Sequence, residues 1–246
     1  MRIVGIDTSS ASASVALLED GQLIAERCHP GSIAGHVAGL AGFKSNHAEI
    51  LLPLIESVIV ESRLSLAEVS GIALSIGPGS FTGLRIGLST VKGLAYGWGI
   101  PVVGVSTLLA QAAQAGEFDG VICALLDARK NEVYAALFRK RQRELARLTE
   151  DLLAPAESVI DRVRRATGDM PCLFIGDGAR RYEKLLLDAF GGAARLCAEN
   201  SVSSCAAAVA RLGMERMRRS ETDDLGKLVP VYLRPSEAEA RRSNRI

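Results

Sequence analysis

The stretch MRIVGIDTSSASASVALLEDGQLIAERCH, Met1 to His29, decides the fold. Arg2–Asp7 is an apolar run closed by a carboxylate, which reads as a buried strand followed by a Thr/Ser turn. Ser14–Leu18 and Gln22–Arg27 are strands flanking Glu19-Asp20-Gly21, and Asp-Gly is the strongest short hairpin signal. The pattern restarts 120 residues later. Val121–Leu126 is again an apolar strand, ending in Asp127; a turn through Arg129-Lys130-Asn131 leads to Val133–Phe138, and a third strand follows at Leu145–Leu148. Ile76-Gly77-Pro78-Gly79 is echoed by Ile175-Gly176-Asp177-Gly178. A duplicated β-β-β-α-β-α unit explains both echoes. It predicts an α/β protein of two lobes with mixed sheets, residues 1–116 and 117–246, facing each other across a cleft.

The remaining elements follow from period and punctuation. Residues 30–45 form a Gly/Ala-rich connector without clean periodicity. Asn46 caps a helix over His47–Ser62, with Glu49 completing a capping-box-like start and Leu51, Leu54, Ile55, Val58 and Ile59 as its apolar stripe. A strand at Ile72–Ser75, a helix at Thr82–Gly97, a strand at Val102–Val105 and a helix at Thr107–Gln114 complete the first half. The second half continues with a helix at 155–166, a strand at Cys172–Ile175, a helix at 179–190, a helix at Ser201–Arg219 and a last strand at Val229–Leu233.

Composition removes several function classes. Aromatic residues make up 4% of the 246, too few for base-stacking platforms, and the net charge of +1 calls for no polyanion. Residues 1–120 carry net −4 and residues 121–246 net +5, yet the basic runs around Arg139–Arg143, Arg162–Arg165, Arg216–Arg219 and Arg241–Arg245 read first as solvated faces. Five cysteines without a C-x-x-C pair fit apolar packing in a reducing compartment. The N-terminal run is broken by Asp7, and no apolar stretch is long enough for a bilayer, so a cytoplasmic protein with no membrane partner is expected.

Two loops could carry phosphate chemistry. Asp7-Thr8-Ser9 places a carboxylate at a strand end beside hydroxyls and turn amides, and Asp127 is its mirror in the second lobe. Gly77-Pro78-Gly79-Ser80 leads into a helix whose first N–H groups face an anion. The same residues also read as capped turns, with Gly83 and Gly87 admitting close helix packing. His29, His36 and His47 have no metal-ligand spacing and there is no G-x-S-x-G elbow, so neither a metal site nor a catalytic residue is expected. An ATP-dependent phosphotransferase built on Asp7 and Asp127 is an alternative.

The runs GPGSFTGLRIG (Gly77–Gly87), MRIVGIDTS (Met1–Ser9), STLLAQA (Ser106–Ala112), DARKNEVYAALF (Asp127–Phe138) and VPVYLRP (Val229–Pro235) resemble the TsaB family, also called YeaZ. Its members belong to the group that makes threonylcarbamoyladenosine in tRNA. Residues 140–225 match in general layout alone, and the 30–45 connector looks longer than the family's usual one. The resemblance implies an actin/Hsp70/sugar-kinase-like fold of two RNase-H-like lobes. It implies a non-catalytic partner of a TsaD-type catalytic subunit, whose metal-binding His-x-x-x-His pair is missing here; relatives once described as glycoproteases make a glycoprotease-like peptidase a further alternative, which lacks His ligands in this chain. A TsaE-type ATPase, tRNA reached through the complex, a homodimer of the isolated chain, and ATP or ADP with Mg²⁺ in the complex belong to the same expectation. The partner surface is expected on the first two helices, through His47, Leu51, Leu54, Ile55 and Val58 on one and Gly83 and Gly87 on the other.

Overall fold

Two sheets with one strand order organise the chain. The computed structural model describes residues 1–29, 47–142, 144–168, 170–197 and 205–235. The first sheet is built from β1 (Arg2–Asp7), β2 (Ala13–Glu19), β3 (Gln22–His29), β4 (Gly71–Gly77) and β5 (Val102–Ser106), in the order β3-β2-β1-β4-β5. Its first three strands are antiparallel, and β4 and β5 run parallel to β1. The second sheet uses β6 (Gly120–Arg129), β7 (Glu132–Arg141), β8 (Glu144–Arg147), β10 (Cys172–Ile175) and β11 (Ala194–Leu196), in the order β8-β7-β6-β10-β11. The directions match as well, because β6, β7 and β8 are antiparallel and β10 and β11 are parallel to β6. β9 (Leu152–Pro155) pairs with the start of β7, beside the stretch that β8 covers. The duplication inferred from the Asp7 and Asp127 strands is therefore a duplication of topology.

Turn chemistry sets both hairpins. Asp20 and Gly21 take φ of 50° and 93°, the two positive values a tight hairpin needs. Arg129, Lys130 and Asn131 all sit in the left-handed region between β6 and β7.

Helices cover both faces of the first sheet. On one face α1 (His47–Glu61) and α2 (Phe81–Trp98) pack Leu51, Leu54, Ile55, Val58 and Val91 on Val4, Ile6, Val15, Leu17 and Leu74. The opposite face receives α7 (Ala206–Arg218), which comes from the second half of the sequence. Gly5 makes that crossing close: a Cβ there would overlap the Ala206 carbonyl and lie 2.7 Å from Ala210 Cβ. Residues 206–218, assigned from sequence to the second lobe, thus finish the first lobe's core. In the second lobe α4 (Ala156–Thr167), α5 (Asp177–Arg181) and α6 (Glu183–Phe190) cover one face with Val159, Ile160, Val163, Ala179 and Leu186. The other face, with Ile122, Ala124 and Phe138, packs on Leu108 and Ala112 of α3 (Thr107–Ala113), while Ala110 of α3 joins the α7 cluster. Helix α3 is the layer between the lobes.

Several expectations change in detail. Val229–Leu233 is not a strand: Pro230 has no N–H, and Val231 alone donates to a strand carbonyl, Ile76 O at 2.7 Å. The helix expected over 179–190 breaks at Tyr182 (φ −107°, ψ 19°) into α5 and α6. β9 and β11 were not foreseen, since four residues ending in Pro and three following a Gly-Gly pair give no period to read. The 30–45 connector, Asn46 and residues 201–204 lie outside the described residues.

All five cysteines are free thiols, and Cys123, Cys172 and Cys205 are buried. Burial pushes the Cys172 thiol up to about 12 and, with Glu26 and Asp7 nearby, the Cys28 thiol up to about 11. A thiol reagent at pH 8 is expected to label the native protein rapidly at Cys197 at most, Cys28 having about a hundredfold less thiolate than an ordinary cysteine. Rapid native labelling of Cys28 or Cys172 contradicts this packing, and denaturant should release all of them.

Candidate functional site

A cleft of about 730 Å³ opens between the lobes. The β1–β2 turn (Ser9, Ser10), His47 and the start of α2 (Ser80, Arg85) form one wall, and Asp127, Arg129, Tyr134 and Asp177 form the other. Tyr232 and Arg234 from the end of the described chain line it too.

The two loops that could have held phosphate are packed on each other. Asp7 is buried at the end of β1, where its Oδ1 accepts the Ser9 N–H at 3.0 Å and the Ser75 hydroxyl. The Ser9 carbonyl in turn accepts the Ser80 N–H at 2.6 Å, and a Cβ on Gly79 would overlap that same carbonyl. Ser80 Oγ caps α2 by accepting the Gly83 N–H at 3.2 Å. Gly77 has φ of 123°, and a Cβ there would meet the Val231 carbonyl. Gly83 and Gly87 lie over Thr8, where a side chain on either would overlap the Thr8 carbonyl or hydroxyl. Gly79, Gly83 and Gly87 serve close packing of α2 and the loop before it on the β1–β2 turn, and Gly77 admits the Val231 backbone.

Asp127 repeats the role of Asp7. Its Oδ1 accepts the N–H of Arg129 at 3.0 Å, two residues on as in the Asp7–Ser9 pair, and its Oδ2 pairs with Arg181 Nη1 at 3.1 Å. The Asp127 N–H is held by Asp177 Oδ1 at 2.9 Å. Each lobe thus carries an aspartate at or near the end of its first strand, Asp7 as the last residue of β1 and Asp127 at the irregularity two residues before the end of β6, and a metal–nucleotide would have to compete with Arg181 for Asp127. His47 opens α1 beside the cleft, and its Nε2 and Ser9 Oγ are buried with no hydrogen-bond partner among the described residues. No group of three or more His, Cys, Asp or Glu side chains suited to a metal exists among the described residues.

The residues expected at a partner surface point inward. Leu51, Leu54, Ile55 and Val58 are buried against the first sheet, and Gly83 and Gly87 are covered by Thr8. What the two helices present outward is a different set: Leu52 and Val60 on α1, and Tyr96 and Trp98 at the end of α2, with Tyr96 87% exposed. Gly93 and Gly97 meet nothing within 4 Å, so that flank of α2 is open to close approach. Sequence reading followed the longer apolar stripe and missed the Leu52–Val60 line, whose spacing of eight also keeps one helix face.

Two lobes of identical topology facing a common cleft define an α/β protein of the actin/Hsp70/sugar-kinase class. The sequence profile described as "TsaD: tRNA N6-adenosine threonylcarbamoyltransferase" matches residues 42–241. The tRNA threonylcarbamoyladenosine biosynthesis protein TsaB of Bacillus subtilis is 30% identical over 241 residues, covering 98% of this chain and 97% of its own. Its Escherichia coli namesake is 35% identical over 191 residues, 75% of each chain. The solved structure of YeaZ from Pseudomonas aeruginosa matches with a TM-score of 0.73 at 27% identity, over 94% of this chain and 99% of that one. The chain belongs to the TsaB (YeaZ) family.

Because Gly87 sits on Thr8, Gly87→Leu is expected to destabilise the first lobe by about 1–3 kcal/mol through overpacking, read as a lowered melting temperature. An unchanged melting temperature contradicts the contact. Gly93→Ala, with open space around it, should leave the fold intact and add a little helix stability.

Proposed function

We propose that this chain is a non-catalytic subunit in the synthesis of N6-threonylcarbamoyladenosine in tRNA, pairing with a TsaD-type catalytic subunit through the outer faces of α1 and α2. The observation that carries this reading is the employment of the two aspartates, one closing β1 and one near the end of β6. Asp7 is committed to Ser9 and Ser75, and Asp127 to Arg129 and Arg181. Carboxylates held as turn caps are poorly placed to act as a general base for phosphoryl transfer, which weighs against the phosphotransferase alternative. A peptidase finds no metal cluster among the described residues to activate water.

Leu52, Val60, Tyr96 and Trp98 place apolar and aromatic side chains on the outside of a lobe whose own core is already filled. Aromatic side chains are over-represented at the energetic centre of interfaces, and open glycine flanks let a second helix approach. The names of the relatives and the TsaD-type profile support tRNA threonylcarbamoyladenosine synthesis as the process served. In the isolated chain a second copy would use the same face. The TsaE-type ATPase and tRNA would be met through the assembled complex. A nucleotide with Mg²⁺ in the cleft would bind weakly until the partner is present.

Depletion of the protein in its own organism should lower threonylcarbamoyladenosine in hydrolysed bulk tRNA, and re-expression should restore it. An unchanged level of the modified nucleoside would sink the proposal. The purified chain alone should form no modified nucleoside; product formed in the absence of a TsaD-type protein would assign it catalysis instead.

A further inference from the structure

The last described residues fasten the two lobes to each other. After α7, Asp223 donates its N–H to Val102 O at 2.9 Å, and its carboxylate accepts the Gly104 N–H at 2.7 Å while pairing with Arg216. Leu228 is buried in the first lobe's core, and Val231 donates to Ile76 O at 2.7 Å. Up to this point the segment belongs to the first lobe.

Tyr232 then stacks on Phe81 at the start of α2, with ring centroids 4.5 Å apart. The Arg85 guanidinium lies 3.9 Å from the Phe81 centroid, and its Nε donates to Tyr232 Oη at 3.0 Å. From the next residue on, the contacts change lobe. Leu233 packs with the second sheet's cluster, Arg234 Nη2 donates to Ala128 O at 2.6 Å, and Arg234 Nη1 pairs with Glu132 Oε2 at 3.4 Å. Ala128 is the next-to-last residue of β6, the strand that carries Asp127, and Glu132 begins β7, so Arg234 grips the β6–β7 hairpin beside the cleft.

Three residue steps separate Val231 from Arg234, and a fully extended chain covers about 3.3–3.6 Å per residue, or roughly 10–11 Å in all. So short a strap has little slack. The lobes cannot part while both ends hold, and the weaker end must release first. That end is the Leu233–Arg234 side, held by a partly buried leucine, one carbonyl and an ion pair about a third exposed, whereas the first-lobe end has a stacked ring, a guanidinium and a backbone hydrogen bond. Two groups stand to gain from opening. Ser9 Oγ and His47 Nε2 belong to cleft-lining residues, are shut from solvent, and lack a partner among the described residues.

We propose that residues 231–234 form a latch across the inter-lobe cleft, anchored on Phe81 and Arg85 and released at Arg234, and that this latch sets how often the cleft opens. The inference is independent of the tRNA reading, since it concerns the geometry of this chain alone.

Hydrogen–deuterium exchange of the full chain tests it. In Arg234→Ala, amides of Gly77–Arg85 and Asp127–Tyr134, which flank the cleft, should exchange about tenfold faster, the scale of losing one charged hydrogen bond. Amides of β1 and β10 should keep their native rates. Glu132→Gln, which leaves the Ala128 contact in place, should show the same pattern at smaller amplitude. Unchanged exchange around the cleft in Arg234→Ala would make the strap a passive tail and overturn the proposal. Uniform acceleration that includes β1 would also overturn it, by making Arg234 a general folding contact.

Discussion

Helix α3 is the constraint on which the rest of the architecture depends. It lies between the sheets, with Leu108 and Ala112 on the second and Ala110 on the cluster that α7 makes with the first. Both of its ends are gripped from the second lobe. Arg147 donates to Ser106 Oγ, the cap of α3, at 3.0 Å, and Lys140 donates to the Ala115 and Gly116 carbonyls just past its end. Lys140 thus holds the backbone of the turn that follows α3 from the second lobe. One short helix thereby fixes the separation of two sheets, creates the cleft beside it, and brings the chain end within reach of both walls.

Within that frame the cleft is occupied by structural duties. The first strand of each lobe carries, at or near its end, an aspartate that accepts the amide two residues on, so the duplication is preserved down to single hydrogen bonds. The second lobe adds Arg181, and the first adds Ser75 and the stacked β4–α2 loop. A site filled in this way holds loops in place. On α1 and α2 the apolar side chains left exposed are Leu52, Val60, Tyr96 and Trp98, of which Tyr96 is the most exposed.

Much of this was readable beforehand. The Asp-Gly hairpin, the closing aspartates and the Ile-Gly turns carry local chemistry, and local chemistry survives in a single sequence. What stayed illegible was set by long-range packing. Nothing in Ala206–Arg218 says that it crosses Gly5 instead of joining its sequence neighbours, because the complementarity of Gly5, Ala206 and Ala210 appears only when the strand and the helix are superposed. The direction of α1 failed for a related reason. Leu51, Leu54, Ile55 and Val58 form a correct apolar stripe, but a stripe that can fill a core is no surplus for a partner. Gly83 and Gly87 look like a motif for helix–helix packing, and their neighbour is instead Thr8 of the β1–β2 turn. Val229–Leu233 has the composition of a strand and becomes a bridge, since Pro230 cannot extend a ladder and Tyr232 finds Phe81.

The most direct test of the account is a calorimetric titration of the purified chain with the TsaD-type subunit of its own organism. Val60→Glu combined with Tyr96→Glu places two charges on the outer face without touching the core, both residues being well exposed. The account predicts affinity lower by about a hundredfold or more, near 2.7 kcal/mol, with circular dichroism unchanged. Wild-type affinity in that variant would contradict it and move the partner surface off these helices.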